Sequence, residues 1–116
     1  MIMWTIETTD TFDVWFDALD DTDRENVLAS LMVLKERGPM LARPYADTVK
    51  GSRHSNMKEL RVQSKGDPIR AFFAFDPIRK GIVLCAGNKA GDEKRFYEVM
   101  IPIADREFTA HLKKLE

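Results

Sequence analysis

Between positions 57 and 75 the chain alternates apolar and polar residues twice, in Met-Lys-Glu-Leu-Arg-Val-Gln at 57–63 and Ile-Arg-Ala-Phe-Phe-Ala-Phe at 69–75. A period of two predicts strands. The intervening Ser-Lys-Gly-Asp-Pro at 64–68 is turn chemistry, so the two runs should pair antiparallel, and a tight register sets Arg61 opposite Arg70. That register puts Leu60, Val62, Ile69, Ala71, Phe73 and Phe75 on one face, expected to be a core. Glu59, Arg61, Gln63, Arg70 and Phe72 fall on the other, expected to be a polar, cationic platform. A third run, Gly-Ile-Val-Leu-Cys-Ala-Gly-Asn-Lys at 81–89, follows a short turn and ends in Lys89, so three basic side chains converge.

The flanking patterns complete a domain. Residues 1–9 alternate, with Ile2, Trp4 and Ile6 on one face, and predict a first strand. Asp10 or Thr9 then caps a helix with the apolar stripe Phe12, Trp15, Phe16 and Leu19. A second helix opens on a capping box, Thr-Asp-Arg-Glu at 22–25, buries Val27, Leu28, Leu31 and Leu34, and stops at Gly38 and Pro39. Residues 39–56, with Pro39, Pro44 and Gly51, predict a long loop that brings Lys50, Arg53 and His54 to the sheet edge. A C-terminal helix starts near Arg95, restarts or kinks at Pro102, and turns Phe108, Leu112 and Leu115 inward. The order βααβββα predicts an antiparallel α+β fold, with two helices on the core face and the last helix beside the platform.

Composition adds limits. The 116 residues make one domain, 1–116, with 44% hydrophobic and 32% charged residues, and no apolar run approaches bilayer length. No signal-peptide pattern is present, so cytoplasmic residence is expected. Cys85 has no partner for a disulfide and sits among apolar residues, which suits packing. The net charge of −1 conceals a division: residues 1–25 carry eight Asp/Glu against Arg24 alone, whereas 35–95 carry 14 Lys/Arg against 7 Asp/Glu. A basic centre attracts phosphate backbones, although such an excess also occurs on ordinary solvated surfaces. Neither His54 nor His111 has a second ligand at metal spacing, and no glycine loop cradles a phosphate.

Five stretches, taken in order, are specific: Arg-Pro-Tyr at 43–45 through Val-Lys-Gly at 49–51, Met-Lys-Glu-Leu-Arg at 57–61, Ile-Arg-Ala-Phe-Phe-Ala-Phe-Asp-Pro at 69–77, Ala-Gly-Asn-Lys-Ala-Gly at 86–91, and Arg-Phe-Tyr-Glu-Val-Met-Ile-Pro-Ile-Ala-Asp at 95–105. Over nearly its whole length the chain resembles the RelE/ParE superfamily of bacterial toxins, in its HigB-like, phage-derived branch. The resemblance implies a RelE-like fold and the toxin half of a type II toxin–antitoxin pair, a metal-independent, cofactor-free endoribonuclease that cuts mRNA in the ribosomal A site and inhibits translation. Its partner would be a cognate helix-turn-helix antitoxin. Carried over residue by residue, Arg61, Arg70 and Lys89 become the catalytic candidates, and Tyr97 lies near a position that some relatives use. Lys50, Arg53, His54, Phe72, Lys94 and Arg95 join Tyr97 as candidates for RNA contact. The resemblance also admits a ParE-like protein that poisons gyrase, and a non-catalytic relative that acts by binding.

The chemistry suits those residues. RNA cleaves itself once its 2′-hydroxyl is deprotonated and aligned on the adjacent phosphate, so a protein need only orient the strand, take one proton and neutralise growing charge. Arginine forks onto phosphate oxygens and stays charged, which fits Arg61 and Arg70 to the phosphate. Lys89 or His54 is then the expected acid or base, and Phe72 the stacking ring. Each also has an ordinary role. Arg61 can pair with Glu59 or Glu98, His54 can be a surface residue, Tyr97 can cover the sheet edge, and His111 can sit on a helix surface.

Overall fold

A computed structural model describes residues 2–116. One sheet, helix-covered on both faces, runs through it. Its strands are β1 (Ile6–Thr8), β2 (Ala46–Thr48), β3 (Lys58–Ser64), β4 (Asp67–Phe75) and β5 (Gly81–Asn88), in spatial order β1-β5-β4-β3-β2. The helices are α1 (Asp10–Asp17), α2 (Asp21–Arg37) and α3 (Glu93–Lys114), with a short 3-10 turn at Gly38–Met40. The expected α+β architecture is present, with one further strand. β2 is an edge strand inside the segment read as a loop, and it pairs antiparallel with β3 through Ala46 and Leu60. Three residues carry no periodicity that a sequence can reveal. β1 is also shorter than the alternation at 1–9 suggested and joins β5 in parallel; Ile2 is exposed, and Met1 lies outside the described residues.

The central hairpin forms as the alternation requires, with Arg61 opposite Arg70 and Ser64 opposite Asp67. Lys65 and Gly66 both take positive φ, 54° and 83°, the two-residue turn whose twist matches its strands and which favours glycine in its second place. Leu60, Val62, Ile69, Ala71 and Phe73 pack against Phe12, Val27, Leu31 and Leu34 from α1 and α2. Leu28 is exposed, so the buried stripe of α2 is narrower than its sequence suggested. The start of α2 also differs: Asp20 caps it by accepting from the Asp23 amide at 2.9 Å, two residues ahead of the Thr22 box.

The opposite face is no open platform. α3 runs unbroken through Pro102 and lies across it, burying Met57, Phe72, Ala74, Ile82, Leu84 and Cys85 against Ala104 and Phe108. Leu115 falls beyond the helix and is exposed. A bulge between Phe72 and Phe73 pairs them with Cys85 and Val83, so Leu84 and Cys85 both face α3. The bulge resets the alternation of β5: beyond it, Gly87 turns to α3 and Lys89 follows on the same side. A Cβ on Gly87 would stand 3.0 Å from Phe96, so the missing side chain is what lets α3 approach. Burial pushes the Cys85 thiol up to about 12, which fits packing and no nucleophilic role.

Candidate functional site

Glu59 is the hub where β3, β4 and α3 meet. Its side chain is 6% exposed, and its carboxylate accepts from the Tyr97 hydroxyl at 2.6 Å and from Arg61 Nε at 3.2 Å. Arg70 Nε stands 3.8 Å from the same carboxylate, an ion pair too long for a hydrogen bond. The hairpin register produces this cluster, since residues 59 and 61 share a face of β3 and residue 70 lies directly across from 61. Arg61 also donates to Asp47 at 3.2 Å, and Arg43 reaches the same carboxylate oxygen at 2.9 Å. Asp47 comes from β2, the strand the sequence concealed. Its burial raises its carboxyl, but hydrogen bonds from the Thr48 amide and Arg43 outweigh that and hold it below the ordinary 3.8.

Arg70 Nε is the one buried side-chain nitrogen or oxygen without a hydrogen-bond partner among the described residues. Its guanidinium donates from Nη1 to the Ile69 carbonyl at 3.0 Å, while Nε faces Glu59 from too far away. Burying an unsatisfied N–H is costly, and an anion between the two arginines would satisfy it. Tyr97 is protonated here. Burial raises its phenol, and the hydrogen bond to Glu59 raises it further, so it acts as a donor.

A groove of about 400 Å³ opens beside this cluster, lined by Lys50, Glu59, Arg61 and Tyr97 together with Asp47 and Ile101. The structure therefore brings together Arg61, Arg70, Tyr97 and Lys50 from the expected set. Lys89 lies on the same face beyond Gly87, the partner of Arg70, and donates to Glu93 at 2.9 Å. That hydrogen bond, with Lys89's charge and then that of Arg70, holds the Glu93 carboxyl below its ordinary range. Arg53 and His54 sit apart in the loop after β2: the His54 ring bonds Thr109 at 2.9 Å and packs edge-on against Phe108. Lys94 and Arg95 are exposed on the first turn of α3.

Three expectations change. Phe72 is wholly buried under α3 and offers no face to a base. The platform is not a cationic surface, because Glu59, Asp47 and Glu93 pair with Arg61, Arg70, Arg43 and Lys89. His111 is held by a buried carboxylate, Asp76, at 2.7 Å and is not a free surface histidine. Glu59 is the site residue that residue-type reasoning passed over, since a glutamate between basic residues on a strand reads as an ordinary ion-pair partner. Its inward position next to Arg61, on the face that α3 covers, was the available signal. Chemically the cluster offers a buried proton acceptor in Glu59, two arginines able to fork onto phosphate, and a phenol that donates. Among the described residues no group of His, Cys, Asp and Glu is arranged to hold a metal ion.

The antiparallel hairpin flanked by two N-terminal helices and one C-terminal helix defines a RelE-type α+β domain. The fold matches a mutant of the Escherichia coli toxin RelE in its free state with a TM-score of 0.61 and 14% identity, covering 85% of this chain and 97% of that one. It matches the toxin–antitoxin complex RelBE2 of Mycobacterium tuberculosis at 0.59 and 16%, covering 78% and 97%. The profile of the family "Phage derived protein Gp49-like (DUF891)" matches residues 14–109. The chain belongs to that family, is similar to proteins named HigB, and has a RelE-type fold. It is 46% identical over 114 residues to "Putative toxin HigB2" of Mycobacterium tuberculosis (strain ATCC 25618 / H37Rv), covering 97% of this chain and 56% of that protein. With "Putative toxin HigB3" of the same strain it shares 47% over 92 residues, 79% of each. The chain thus spans about half the length of the first relative. Among the described residues no helix is long and apolar enough to cross a membrane.

Proposed function

We propose that this chain is the toxin of a toxin–antitoxin pair and that it cleaves mRNA on the ribosome without a metal. The observation that carries the reading is the Arg61–Glu59–Arg70 cluster with its unsatisfied Arg70 Nε. At rest Glu59 occupies the place between the arginines that a phosphate oxygen would take. When an RNA phosphate enters, the guanidinium groups turn to it, and Glu59 is left beside the strand as acceptor for the 2′-hydroxyl proton. The 2′-oxygen bonds the phosphorus, and the arginines neutralise the charge that grows on the phosphorane oxygens. The bond to the 5′-oxygen breaks as Lys89 gives that oxygen a proton, leaving a 2′,3′-cyclic phosphate and a 5′-hydroxyl. Tyr97 orients Glu59, and Lys89 adds positive charge at the end of β5. An antitoxin, of the helix-turn-helix kind that the family resemblance implies, would silence the protein by covering the groove or holding α3.

The test is induction of the chain alone in a bacterial host, with 5′ ends of cellular mRNA mapped within minutes. New ends inside translated frames, lost when initiation is blocked and absent with Arg70→Ala, are expected. Growth arrest without new ends, or undiminished cleavage by Arg70→Ala, would overturn the nuclease assignment. A second reading has an observation of its own: the candidate cations are already paired with carboxylates in the free chain. Such a surface also suits a protein that acts through a protein interface, as a ParE-like gyrase poison would.

A further inference from the structure

A second cleft, of about 560 Å³, lies between the loop after β2 and the outer flank of α3, lined by Gly51, Arg53, Ile101, Pro102, Asp105, Arg106, Thr109 and Lys113. Three of these are exposed cations, and Arg106 and Lys113 make no ion pair among the described residues. The one acid in the cleft is already committed. Asp105 is buried and accepts from Ser52 Oγ at 2.5 Å and from the Arg53 amide at 3.1 Å. Its remaining contact is a long one, 4.0 Å, to Arg53 Nε. His54 adds a bond to Thr109 at 2.9 Å, and its amide bonds Ser52 at 3.0 Å. Three of these hydrogen bonds clamp residues 52–54 onto α3 and the fourth closes the loop on itself, so the Arg53 backbone is fixed while its guanidinium stays in water. The other flank of α3 is more mixed, with Glu107, Asp10 and a Lys80-paired Glu7 alongside Lys114.

We infer that this cleft is a binding track for the phosphate backbone of single-stranded RNA, which Arg53, Arg106 and Lys113 hold outside the site that cuts it. The inference rests on the nuclease reading of the Glu59 cluster and extends it to where the strand continues. Continuity favours RNA over an acidic protein segment: Ile101 lines both grooves, and Lys50 in one adjoins Gly51 in the other. From Tyr97 to Lys113 the helix runs about 24 Å at 1.5 Å per residue, enough for several nucleotides. A cation pre-set by a clamped loop loses less freedom on binding than one on a mobile loop.

The experiment is fluorescence anisotropy of the full chain with a labelled, 2′-O-methylated single-stranded RNA, which binds but lacks the hydroxyl needed for cleavage, over a salt series. The double variant R106A/K113A is expected to bind roughly tenfold more weakly and to lose about 1.4 from the slope of log affinity against log salt, near 0.7 for each phosphate contact removed. The charge-keeping R106K/K113R should bind like the parent chain, which separates charge from packing. An unchanged affinity and slope in R106A/K113A, while the parent binds RNA, would overturn the track and leave the nuclease reading intact. Loss of poly-glutamate binding in that variant with RNA binding unaffected would also overturn it, assigning the cleft to an acidic protein. A parent chain that binds no RNA removes the track, while absence of new mRNA ends is what removes the nuclease.

Discussion

Glu59 gathers two hydrogen-bond donors, Tyr97 and Arg61, and the longer ion pair of Arg70 around one buried carboxylate, and its removal would leave two arginines facing each other across a hairpin. Breaking a buried ion pair by deleting one partner costs about 3–5 kcal/mol. Arg61 is about one-third exposed, so water recovers part of that, and Glu59→Ala should cost about 3 kcal/mol in chemical denaturation. Tyr97→Phe removes one hydrogen bond to a charged acceptor and should cost about 1.5 kcal/mol. The double variant should cost less than the two changes added, because the phenol bonds nothing else in the cluster. Strict additivity in the cycle would mean that the two groups do not interact in solution. If Glu59 is the proton acceptor, Glu59→Gln should abolish cleavage while circular dichroism remains that of the parent. The arginine positions were legible in the alternation of 57–63 and 69–75, and the facing register follows from the turn. That a glutamate would be buried between them was not legible, because burial of a polar strand residue depends on what lies above it.

At the scale of elements, the decisive contact is between α3 and the turn joining β4 to β5. Asp76 is buried there, accepting from the His111 ring at 2.7 Å and from the Ile78 and Lys80 amides at 3.0 and 2.9 Å. Burial pushes its carboxyl up, but the hydrogen bonds from His111 and the two amides outweigh burial, leaving it below the ordinary 3.8. A carboxylate with a depressed folded value adds stability that is fully present above its unfolded value and is lost as pH falls through the folded one. Thermal unfolding should therefore show a drop in Tm below about pH 4 that is smaller in Asp76→Asn, since asparagine does not titrate. An equal acid slope in the two proteins would remove Asp76 from the account. The helices themselves were readable from caps and apolar spacing, with small shifts at their ends. The bulge in β5 was not, and it alone turns Gly87 and Lys89 toward α3. Nor was β2, whose three residues form a strand only because β3 offers an open edge.

The whole molecule has two cores sharing one sheet, and α3 supplies nearly all of the cover for the second. Met57, Phe72, Ala74, Ile82 and Leu84 are each no more than 2% exposed beneath it. Each large apolar side chain contributes about 1.5–3 kcal/mol when fully buried, and a whole domain is stable by only about 5–15 kcal/mol. A chain ending at Asp92 should consequently lose its cooperative unfolding transition and bind a hydrophobic dye. A truncated chain that still melts cooperatively would mean that the α1–α2 core suffices. This dependence also bears on control, since a partner that held α3 away from the sheet would dismantle the Glu59 cluster by removing Tyr97.

By itself the sequence determined the class of fold, the central hairpin and its register, the two N-terminal helices and the pairing of Arg61 with Arg70. These follow from spacing, turn chemistry and capping, which act over a few neighbouring residues. Only the tertiary structure decided that the arginine face is covered, that Phe72 is core, that Glu59 and Asp47 neutralise the arginines, and that Arg53, Arg106 and Lys113 line one cleft. Burial and ion pairing depend on which element lies over a side chain. The residues that supply it stand tens of positions away, where no local pattern records them.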